Sequence, residues 1–351
     1  MALFSLHNSL IKGISACVPA TEYDNMDYDW ISVKERELLI KTVGVAKRRM
    51  APVGTATSDL CLHAAEKLLK DVQWEKDEVE MLVFISQARD YHLPATGIIL
   101  QDRLGLSKKC MAFDVGLGCS GYVYGLSIVG GLLNSFNLKK ALLLVGDIST
   151  ASISYKDKSI YTLFGDCGTA TAIERSEGAP VMHFNMMSDG SGFDAIYIPH
   201  SGTRRIADKS SLEMQKFGDG IYRNMIQLFL DGVRVFNFAT MEVPPNVKEL
   251  LESQNMTVED IDQFVFHQAN LLMNEVIRKK LKIPKEKYPY SMNTFGNTSS
   301  ASIPLTMITQ LREKIMNEKL KLLLSGFGVG LSWGSVILET NKIVCSELIE
   351  V

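Results

Sequence analysis

The sequence lacks the segments that mark membrane, secreted and nucleic-acid-binding proteins. No apolar run approaches the about 20 residues that a membrane-spanning helix needs. Residues 1–16 contain no basic segment followed by a sustained apolar stretch, so they do not resemble a signal peptide. The formal net charge is only −3, and there is no basic stripe with interleaved aromatic residues. We therefore expect a cytoplasmic protein without a membrane or nucleic-acid partner.

Cysteine is scarce, and its spacing excludes two further classes. The six cysteines stand at positions 17, 61, 110, 119, 167 and 345, and none forms a Cys-x-x-Cys pair. This spacing argues against a zinc site and against a disulfide framework, and it favours a reducing compartment. We expect no metal.

The chain is large enough for two domains and repeats itself weakly. Its 351 residues are 46% hydrophobic and 22% charged, which fits a globular protein with a large core. Residues 78–85 (EVEMLVFI) resemble 260–267 (DIDQFVFH), and 142–146 (LLLVG) resemble 322–326 (LLLSG) at nearly the same spacing. Coincidence among common βα patterns is the alternative, but two matches at one spacing favour a duplication.

The repeat predicts two similar α/β halves, over residues 1–176 and 177–351. The boundary falls where 176–180 (SEGAP) breaks the pattern. Each half has a helical segment before a continuous apolar run of the buried parallel type. Helices that enclose such strands give a layered architecture. The polar segment 201–219 is expected to cross the surface, either as a lid or as a plain loop.

One cysteine stands where a nucleophile is favoured. Cys119 follows the apolar run 112–115 and precedes a small-residue segment, 121–133, with helical spacing. A cysteine between a strand end and a helix start lies near unpaired backbone N–H groups and the positive end of the helix dipole. Both favour the thiolate, which is the nucleophilic form. The alternative is a small buried hydrophobic residue, the usual role of a free cysteine.

Two more polar residues stand at similar corners. His267 ends the run 264–266 before a helical pattern, and Asn297 lies in a loop of small polar residues that leads into another helix. Each has an ordinary interpretation, as a core histidine or as part of a turn and helix cap. In α/β sheets, however, such positions lie at the carboxyl ends of strands, where sites assemble. Together with Cys119 they predict a Cys-His-Asn site at the junction of the two halves.

Three motifs around these residues carry a family resemblance. They are Gly-Cys-Ser-Gly at 118–121, His-Gln-Ala-Asn at 267–270 and Gly-Asn-Thr-Ser-Ser-Ala-Ser at 296–302. Supporting matches lie in the same order at 163–166, 232–236 and 326–335. Over nearly its whole length the chain resembles the β-ketoacyl-acyl carrier protein synthase III family of condensing enzymes. The resemblance implies the thiolase-like α/β fold, with two duplicated halves in an αβαβα arrangement.

The resemblance implies a decarboxylative condensation in two stages. Cys119 takes an acyl group from an acyl-CoA, and malonyl-carrier protein then loses CO₂ and attacks the resulting thioester. His267 and Asn297 are expected to stabilise the enolate-like oxygen as hydrogen-bond donors. The Cys119 amide and one amide of the turn Phe327, Gly328 and Val329 are expected to bind the oxyanion. Acyl-CoA and malonyl-carrier protein are substrates, no cofactor is permanently bound, and the chain is expected to form a homodimer.

The resemblance also implies substrate-binding residues, and here the chain departs from the family. Trp30, Lys158 and Asn270 are expected to bind acyl-CoA or pantetheine. Lys158 stands where an arginine is common, and the spacing after Trp30 is longer than usual, so a carrier-bound donor is an alternative to CoA. Leu93 aligns with a residue, often a bulky aromatic, that caps the partner subunit's acyl pocket. A leucine there predicts room for a longer or branched acyl group.

Val329 replaces a family glycine, and a positive φ there would be unfavourable for a β-branched residue. The basic stretch 278–287 is either a solvated helix face or a docking patch for an acidic carrier protein or CoA phosphates.

Two other functions remain compatible with these motifs. The first is a non-decarboxylating acyltransferase that moves an acyl group from Cys119 to an alcohol or amine, and Asn297 argues against it. The second is a non-catalytic partner subunit of a condensing complex. The presence of Cys119, His267 and Asn297 together argues against that function.

Overall fold

The computed structural model describes residues 2–351 of the chain, which contain both strands and helices. The strands are β1 (Ala2–Leu6), β2 (Ser9–Val18), β3 (Glu22–Asp24), β4 (Lys47–Arg49), β5 (Met81–Ile85), β6 (Met111–Val115), β7 (Lys140–Asp147), β8 (Cys167–Arg175), β9 (Met182–Ser188), β10 (Ile196–Tyr197), β11 (Gln215–Gly218), β12 (Ile221–Arg223), β13 (Phe229–Leu230), β14 (Gln263–Phe266), β15 (Lys319–Gly328), β16 (Ser332–Asn341), β17 (Val344–Cys345) and β18 (Ile349–Glu350).

The helices are α1 (Val33–Val43), α2 (Thr57–Asp71), α3 (Thr96–Arg103), α4 (Gly121–Ser135), α5 (Gly232–Ser253), α6 (Leu271–Lys280), α7 (Met292–Phe295) and α8 (Ser302–Asn317). Within residues 2–351 none of them has both the length and the apolar character needed to cross a membrane.

Two mixed sheets form the centre of the molecule. The seven-stranded sheet has the order β17-β2-β8-β7-β5-β6, with β18 also paired to β2, and the five-stranded sheet has the order β1-β9-β16-β15-β14. β5 runs parallel to β6 and β7, and β14 runs parallel to β15. The apolar runs near 78–85 and 260–267 therefore are the parallel strands that the sequence predicts. β8 and β16 return antiparallel to their neighbours.

Side chains of the central strands alternate between different helical layers, because successive residues of a strand point to opposite faces. On β7, Leu143 packs with α4 and α8, whereas Leu144 packs with α2 and α3. On β15, Leu324 packs with α4 and α8, whereas Leu323 packs with α5 and α6. The layers thus follow the order helix, sheet, helix, sheet, helix, which confirms the predicted αβαβα architecture. These strands are apolar throughout because helices cover both of their faces.

The two sheets repeat one plan. A short 3₁₀ turn (Lys76–Glu78 or Val258–Asp260) leads into β5 or β14, a central helix (α4 or α8) follows, and an antiparallel pair (β7–β8 or β15–β16) closes the unit. The ends of the chain cross between the sheets. β1 pairs with β9 in the five-stranded sheet, and β17 and β18 pair with β2 in the seven-stranded sheet.

The polar segment 201–219 is not a plain loop. It contains a 3₁₀ turn, Lys209–Leu212, and the strand β11, which forms a hairpin with β12. The hairpin is held against residues 152–158, since Tyr222 N–H donates to the Lys156 carbonyl and Arg223 pairs with the buried carboxylate of Asp157 at 3.2 Å. The flanking strands β10 and β13 pair with each other and line the cavity described next.

Candidate active site

A cavity of about 330 Å³ is lined by residues from both halves of the chain. Cys119, His267 and Asn297 all lie on its surface, as the sequence predicts for a site at the junction of the halves. The walls are mostly apolar and include Ile148, Leu163, Phe164, Ile196, Leu228 and Leu230. The cavity therefore combines a small polar centre with room for an apolar group.

The loop between β6 and α4 holds Cys119 two residues before the first residue of α4. The side chain is buried, and burial raises the pKa of the Cys119 thiol to about 11. The Ser299 hydroxyl and the amides of Cys119 and Val329 bind the sulfur and act in the opposite direction. The sequence predicts that the helix start favours the thiolate, but desolvation by burial has the larger effect on the pKa of the thiol. The resting thiol carries its proton at neutral pH, so its attack on a carbonyl needs a proton acceptor.

The end of β15 packs directly on the cysteine. A Cβ atom at Gly328 would lie 2.6 Å from Cys119 Cβ and 2.9 Å from its Sγ, so only glycine fits there. Phe327 and Val329 also line the cavity, and the amides of Cys119 and Val329 reach the sulfur. The φ angle of Val329 is not positive, so the predicted penalty for a β-branched residue does not arise. Two backbone N–H groups therefore lie beside the sulfur.

His267 follows β14 and is held rigidly. Its N–H donates to the Ser325 carbonyl at 2.8 Å, its ring lies edge-on to Phe327 with centroids 5.3 Å apart, and its Nδ1 is 2.7 Å from Ser302 Oγ. Burial lowers the pKa of His267 to about 3, although the Ser299 carbonyl acts against this shift. The imidazole is therefore neutral at physiological pH.

Ser302 determines which ring nitrogen carries the proton. Its hydroxyl is buried, accepts the N–H of Gln268 at 3.3 Å and lies 2.7 Å from His267 Nδ1. Because a buried hydroxyl proton needs an acceptor, we assign Nδ1 as the acceptor and Nε2 as the protonated nitrogen. His267 can then donate a hydrogen bond from Nε2.

Asn297 presents its amide nitrogen as a second hydrogen-bond donor. Its Oδ1 accepts the backbone N–H of Ser299 at 2.9 Å, which assigns Nδ2 as the donor end. Nδ2 is 3.4 Å from the Ala269 carbonyl, which uses one of its two protons. The preceding Gly296 has a φ of 68°, and a Cβ there would lie 2.8 Å from the Leu163 carbonyl oxygen. His267 and Asn297 thus supply two neutral donors.

The other residues expected to bind substrate are more dispersed. Asn270 lines the cavity and caps α6, because its Oδ1 accepts the N–H of Met273 at 2.8 Å. Trp30 and Lys158 are not among the residues that line the cavity. Trp30 Nε1–H donates to the Gly220 carbonyl at 3.1 Å, which fixes the indole against the turn between β11 and β12.

Lys158 and Leu93 also make no contact with the cavity of this chain. Lys158 pairs with Glu35 at 3.1 Å and with Asp219 at 3.2 Å. The side chain of Leu93 is 86% exposed, on the segment between β5 and α3. Any role of Leu93 in an acyl pocket therefore requires a second subunit.

Sequence reasoning missed a buried carboxylate beside the cysteine. Asp147 ends β7, lines the cavity and accepts hydrogen bonds from Ser86 Oγ at 2.9 Å, Gln87 N–H at 2.7 Å and Ser300 Oγ at 3.1 Å. Its signal in the sequence is an acidic residue directly after the apolar run 142–146. Ser302 lies in a motif that we recognised, but its distance from His267 in the sequence gave no indication of contact.

The basic stretch 278–287 is partly used within the chain. Arg278 pairs with Glu275 at 2.8 Å, and Lys287 donates to the Ile261 carbonyl at 2.6 Å. Lys279 keeps a side chain that is 71% exposed. Lys282 and Lys285 are also exposed, so part of the stretch remains accessible to a partner.

If the site carries out the condensation that the sequence resemblance implies, replacing Ser302 by alanine is expected to slow decarboxylation about tenfold and to leave Cys119 acylation nearly unchanged. The variant removes the group that holds His267 Nε2–H in its donor form, and tenfold corresponds to about 1.4 kcal/mol of transition-state stabilisation. Ser302→Thr keeps the hydroxyl and should restore most of the rate. The check is the separate rates of the two half-reactions, together with the imidazole ¹⁵N shifts that distinguish the tautomers. Equal loss of both half-reactions, or Nδ1 protonation in the wild type, would contradict the assignment.

The αβαβα fold and the Cys-His-Asn cavity define a thiolase-fold condensing enzyme, which transfers an acyl group through a cysteine. Residues 113–190 match the family described as 3-oxoacyl-[acyl-carrier-protein (ACP)] synthase III, and residues 251–340 match its C-terminal counterpart. The β-ketoacyl-[acyl-carrier-protein] synthase III of Staphylococcus saprophyticus is 32% identical over 334 residues, which cover 95% of this chain and 99% of the relative. The chain belongs to the β-ketoacyl-acyl carrier protein synthase III family.

Solved structures agree with this assignment. The crystal structure of a 3-oxoacyl-(acyl-carrier protein) synthase from Burkholderia xenovorans superposes with a TM-score of 0.93 at 36% identity and covers 99% of both chains. The priming β-ketosynthase of the R1128 polyketide biosynthetic pathway superposes with a TM-score of 0.83 at 26% identity and covers 95% of this chain and 97% of that one.

Proposed function

We propose that Cys119 accepts an acyl group from an acyl-CoA and passes it to the carbanion formed when malonyl-carrier protein loses CO₂. The observation that carries this proposal is the pair of neutral donors, His267 Nε2–H and Asn297 Nδ2–H, on the same cavity as a buried cysteine. Acyl-CoA and malonyl-carrier protein act as substrates, and the reaction needs no resident cofactor.

The chemistry of each stage matches the charge of its surroundings. Acyl transfer creates a negative oxygen beside Cys119, where the amides of Cys119 and Val329 can bind it. Decarboxylation creates a negative enolate-like oxygen, which neutral donors stabilise. A preorganised donor of this kind typically contributes about 3–4 kcal/mol to the transition state. The neutral form of His267 also persists at mildly acidic pH, because burial holds its pKa near 3.

The apolar walls of the cavity favour an acyl group longer than acetyl. Side chains such as Phe164, Ile196 and Leu228 line it, and burial of each methylene contributes about 0.8 kcal/mol. If Leu93 of a second subunit closes this space, it leaves more room than an aromatic residue would. The donor is therefore proposed to be a medium-length or branched acyl thioester.

Two protein contacts belong to the proposal. The carrier protein is proposed to dock near the exposed Lys279 on α6, which follows the cavity-lining residue Asn270. A second copy is proposed to pair at β6, the edge strand of the seven-stranded sheet, close to the exposed apolar side chains of Tyr91 and Leu93. Sedimentation as a monomer at micromolar concentration would contradict the homodimer.

A cytoplasmic location is part of the same proposal. The six cysteines are free and buried, as expected for a protein of a reducing compartment.

The experiment that tests the reaction is intact-protein mass spectrometry after incubation with a series of acyl-CoAs, followed by addition of malonyl-carrier protein. We expect an acyl adduct that is absent in Cys119→Ser, largest for C6 or branched donors, and discharged with release of CO₂ into a β-ketoacyl product. A preference for acetyl would contradict the proposed chain length.

The other outcomes separate the alternatives. An adduct that never discharges on malonyl-carrier protein would indicate an acyltransferase with another acceptor. Adducts from acyl-carrier donors alone would contradict the use of CoA. Absence of any adduct from both kinds of donor would favour a non-catalytic partner subunit. Cys17→Ser, another buried cysteine outside the cavity, controls for nonspecific acylation, and its adduct should equal that of the wild type.

A further inference from the structure

The thiol of Cys119 contacts Ser299, a residue that has no role in the pair of donors formed by His267 and Asn297. Cys119 Sγ lies 3.7 Å from Ser299 Oγ, within hydrogen-bond reach for sulfur. The carboxylate of Asp147 accepts the hydroxyl of the next residue, Ser300, at 3.1 Å, and the side chain of Ser299 holds the pKa of Asp147 down against the effect of burial. Cys119, Ser299 and Asp147 all line the same cavity. The reactive sulfur, the Ser299 hydroxyl and a buried carboxylate therefore form one polar cluster on the cavity wall.

Asp147 is held as a charged group by neutral donors. Its Oδ1 accepts Ser86 Oγ, Gln87 N–H and Ala88 N–H at 2.9, 2.7 and 3.2 Å, and its Oδ2 accepts Ser300 Oγ at 3.1 Å. Asp147 is 2% exposed, so these protein donors, and not solvent, stabilise its carboxylate. Burial raises the pKa of Asp147, which makes its carboxylate a better proton acceptor than an exposed one.

The backbone of Ser299 is strained to reach this place. Its φ is 51°, in the left-handed region that serine seldom adopts, and its N–H is fixed by Asn297 Oδ1. Such a conformation is unfavourable for serine and persists at sites where the side chain must occupy one position. Here the conformation accompanies a hydroxyl that lies 3.7 Å from the Cys119 sulfur.

We propose that Asp147 takes the proton of the Cys119 thiol through the Ser299 hydroxyl while the acyl group is transferred to Cys119. The Sγ–H proton passes to Ser299 Oγ as the Ser299 proton passes to Asp147, and the sulfur electrons form the new bond to the acyl carbon. The tetrahedral oxyanion then collapses and breaks the bond to the sulfur of CoA. The leaving thiolate takes the proton back from Asp147 by the same hydroxyl, so protons and electrons balance. Ser299 touches the reacting sulfur, and Asp147 acts through it as a positioning residue that also holds the proton.

The inference rests on the proposed acylation of Cys119, and one pair of measurements separates the two. The first is the rate of Cys119 acylation by an acyl-CoA that the wild type accepts, followed by quenched-flow mass spectrometry. The second is the rate of Cys119 alkylation by iodoacetamide against pH, which reports the thiolate fraction and needs no proton relay. One other titrating group is close enough to matter. Cys61, on α2, also senses the charge of Asp147, and its alkylation must be followed separately by peptide mapping.

Asp147→Asn is expected to change the two rates in opposite directions. The negative charge of Asp147 raises the pKa of Cys119, so its removal should increase alkylation at a given pH. Acylation should fall at least tenfold, because the proton acceptor is lost. A merely structural role would slow both reactions alike. Ser299→Ala should also slow acylation at least tenfold, and it leaves the backbone contacts of Asp147 intact if the asparagine variant fails to fold.

Ser300→Ala is the matched control, because it removes a hydrogen bond from the same carboxylate without touching the sulfur. Its acylation rate should stay within about threefold of the wild type, while the relay variants lose a factor of ten or more. Three results would each overturn the inference. Asp147→Asn could acylate at the wild-type rate, or it could lose acylation and alkylation equally. Ser299→Ala and Ser300→Ala could have equal effects. A wild type that no acyl-CoA acylates would instead overturn the proposed function, and the relay with it.

Discussion

An Asn297→Asp variant is expected to lose at least about a hundredfold in the decarboxylation of malonyl-carrier protein while it still forms the acyl-enzyme. The carboxylate replaces a hydrogen-bond donor at the developing enolate oxygen by a negative charge, and loss of one such donor alone reduces rates by about 10²–10³. The loop should keep its shape, because the aspartate can accept the Ser299 N–H that Asn297 Oδ1 accepts now. The measurements are CO₂ release from malonyl-carrier protein and the acylated fraction by mass spectrometry.

Asn297→Ala is the control that separates the lost donor from the added charge. It should decarboxylate faster than Asn297→Asp, because it removes the hydrogen bond without repelling the enolate. Decarboxylation by Asn297→Asp at the wild-type rate would show that Nδ2 is not the donor. A complete loss of acylation would mean instead that the substitution damages the site of Cys119.

Gly328→Ala is expected to reduce Cys119 acylation by about a hundredfold or more. The new Cβ would lie 2.6 Å from Cys119 Cβ and 2.9 Å from its Sγ, closer than real Cβ contacts, so the cysteine or the end of β15 must move. Displacement of a nucleophile by about 1 Å can reduce a rate 10²-fold. The free energy of unfolding should also fall by about 1–3 kcal/mol because the core is overpacked. Acylation rates and thermal unfolding check both effects.

Gly116→Ala is the matched control in the loop that leads to Cys119. A Cβ at Gly116 meets no atom within 4 Å, and its φ lies outside the positive range. This variant should acylate and unfold like the wild type. Full acylation by Gly328→Ala would show that the contact between β15 and the cysteine is not essential, and slow acylation by Gly116→Ala would indicate a general sensitivity of the loop.

Much of the fold can be predicted from the chain because both halves carry the same periodic patterns. The apolar runs that become β5 and β14 are covered by helices on both faces, so they lack polar alternation and stand out in the sequence. The crossing of the chain ends between the sheets could not be predicted. β1 and β17 are short strands without a distinctive pattern, and their places depend on which sheet edge lies free beside them.

The chemistry of the site divides in the same way. Cys119, His267 and Asn297 are visible in the sequence because each stands at a corner between a strand or loop and a helix. The ionisation of these groups was not visible. The helix start at Cys119 suggested a thiolate, yet burial raises the pKa of the thiol to about 11. Desolvation depends on every atom that packs around an ionisable group, so a local sequence pattern cannot predict it.

By itself the sequence determined the α/β class and predicted two similar halves and three candidate site residues, because periodicity and strand-end position are local properties of a chain. The tertiary structure alone decided which groups touch them. Ser302 meets His267, Ser299 meets Cys119, and Asp147 lines the same cavity, although long stretches of chain separate these residues. These contacts arise because the two sheets and the helical layer between them bring the ends of distant strands to one cavity. A hydrogen bond acts only over a few ångströms, so it forms only after this packing has brought its two groups together.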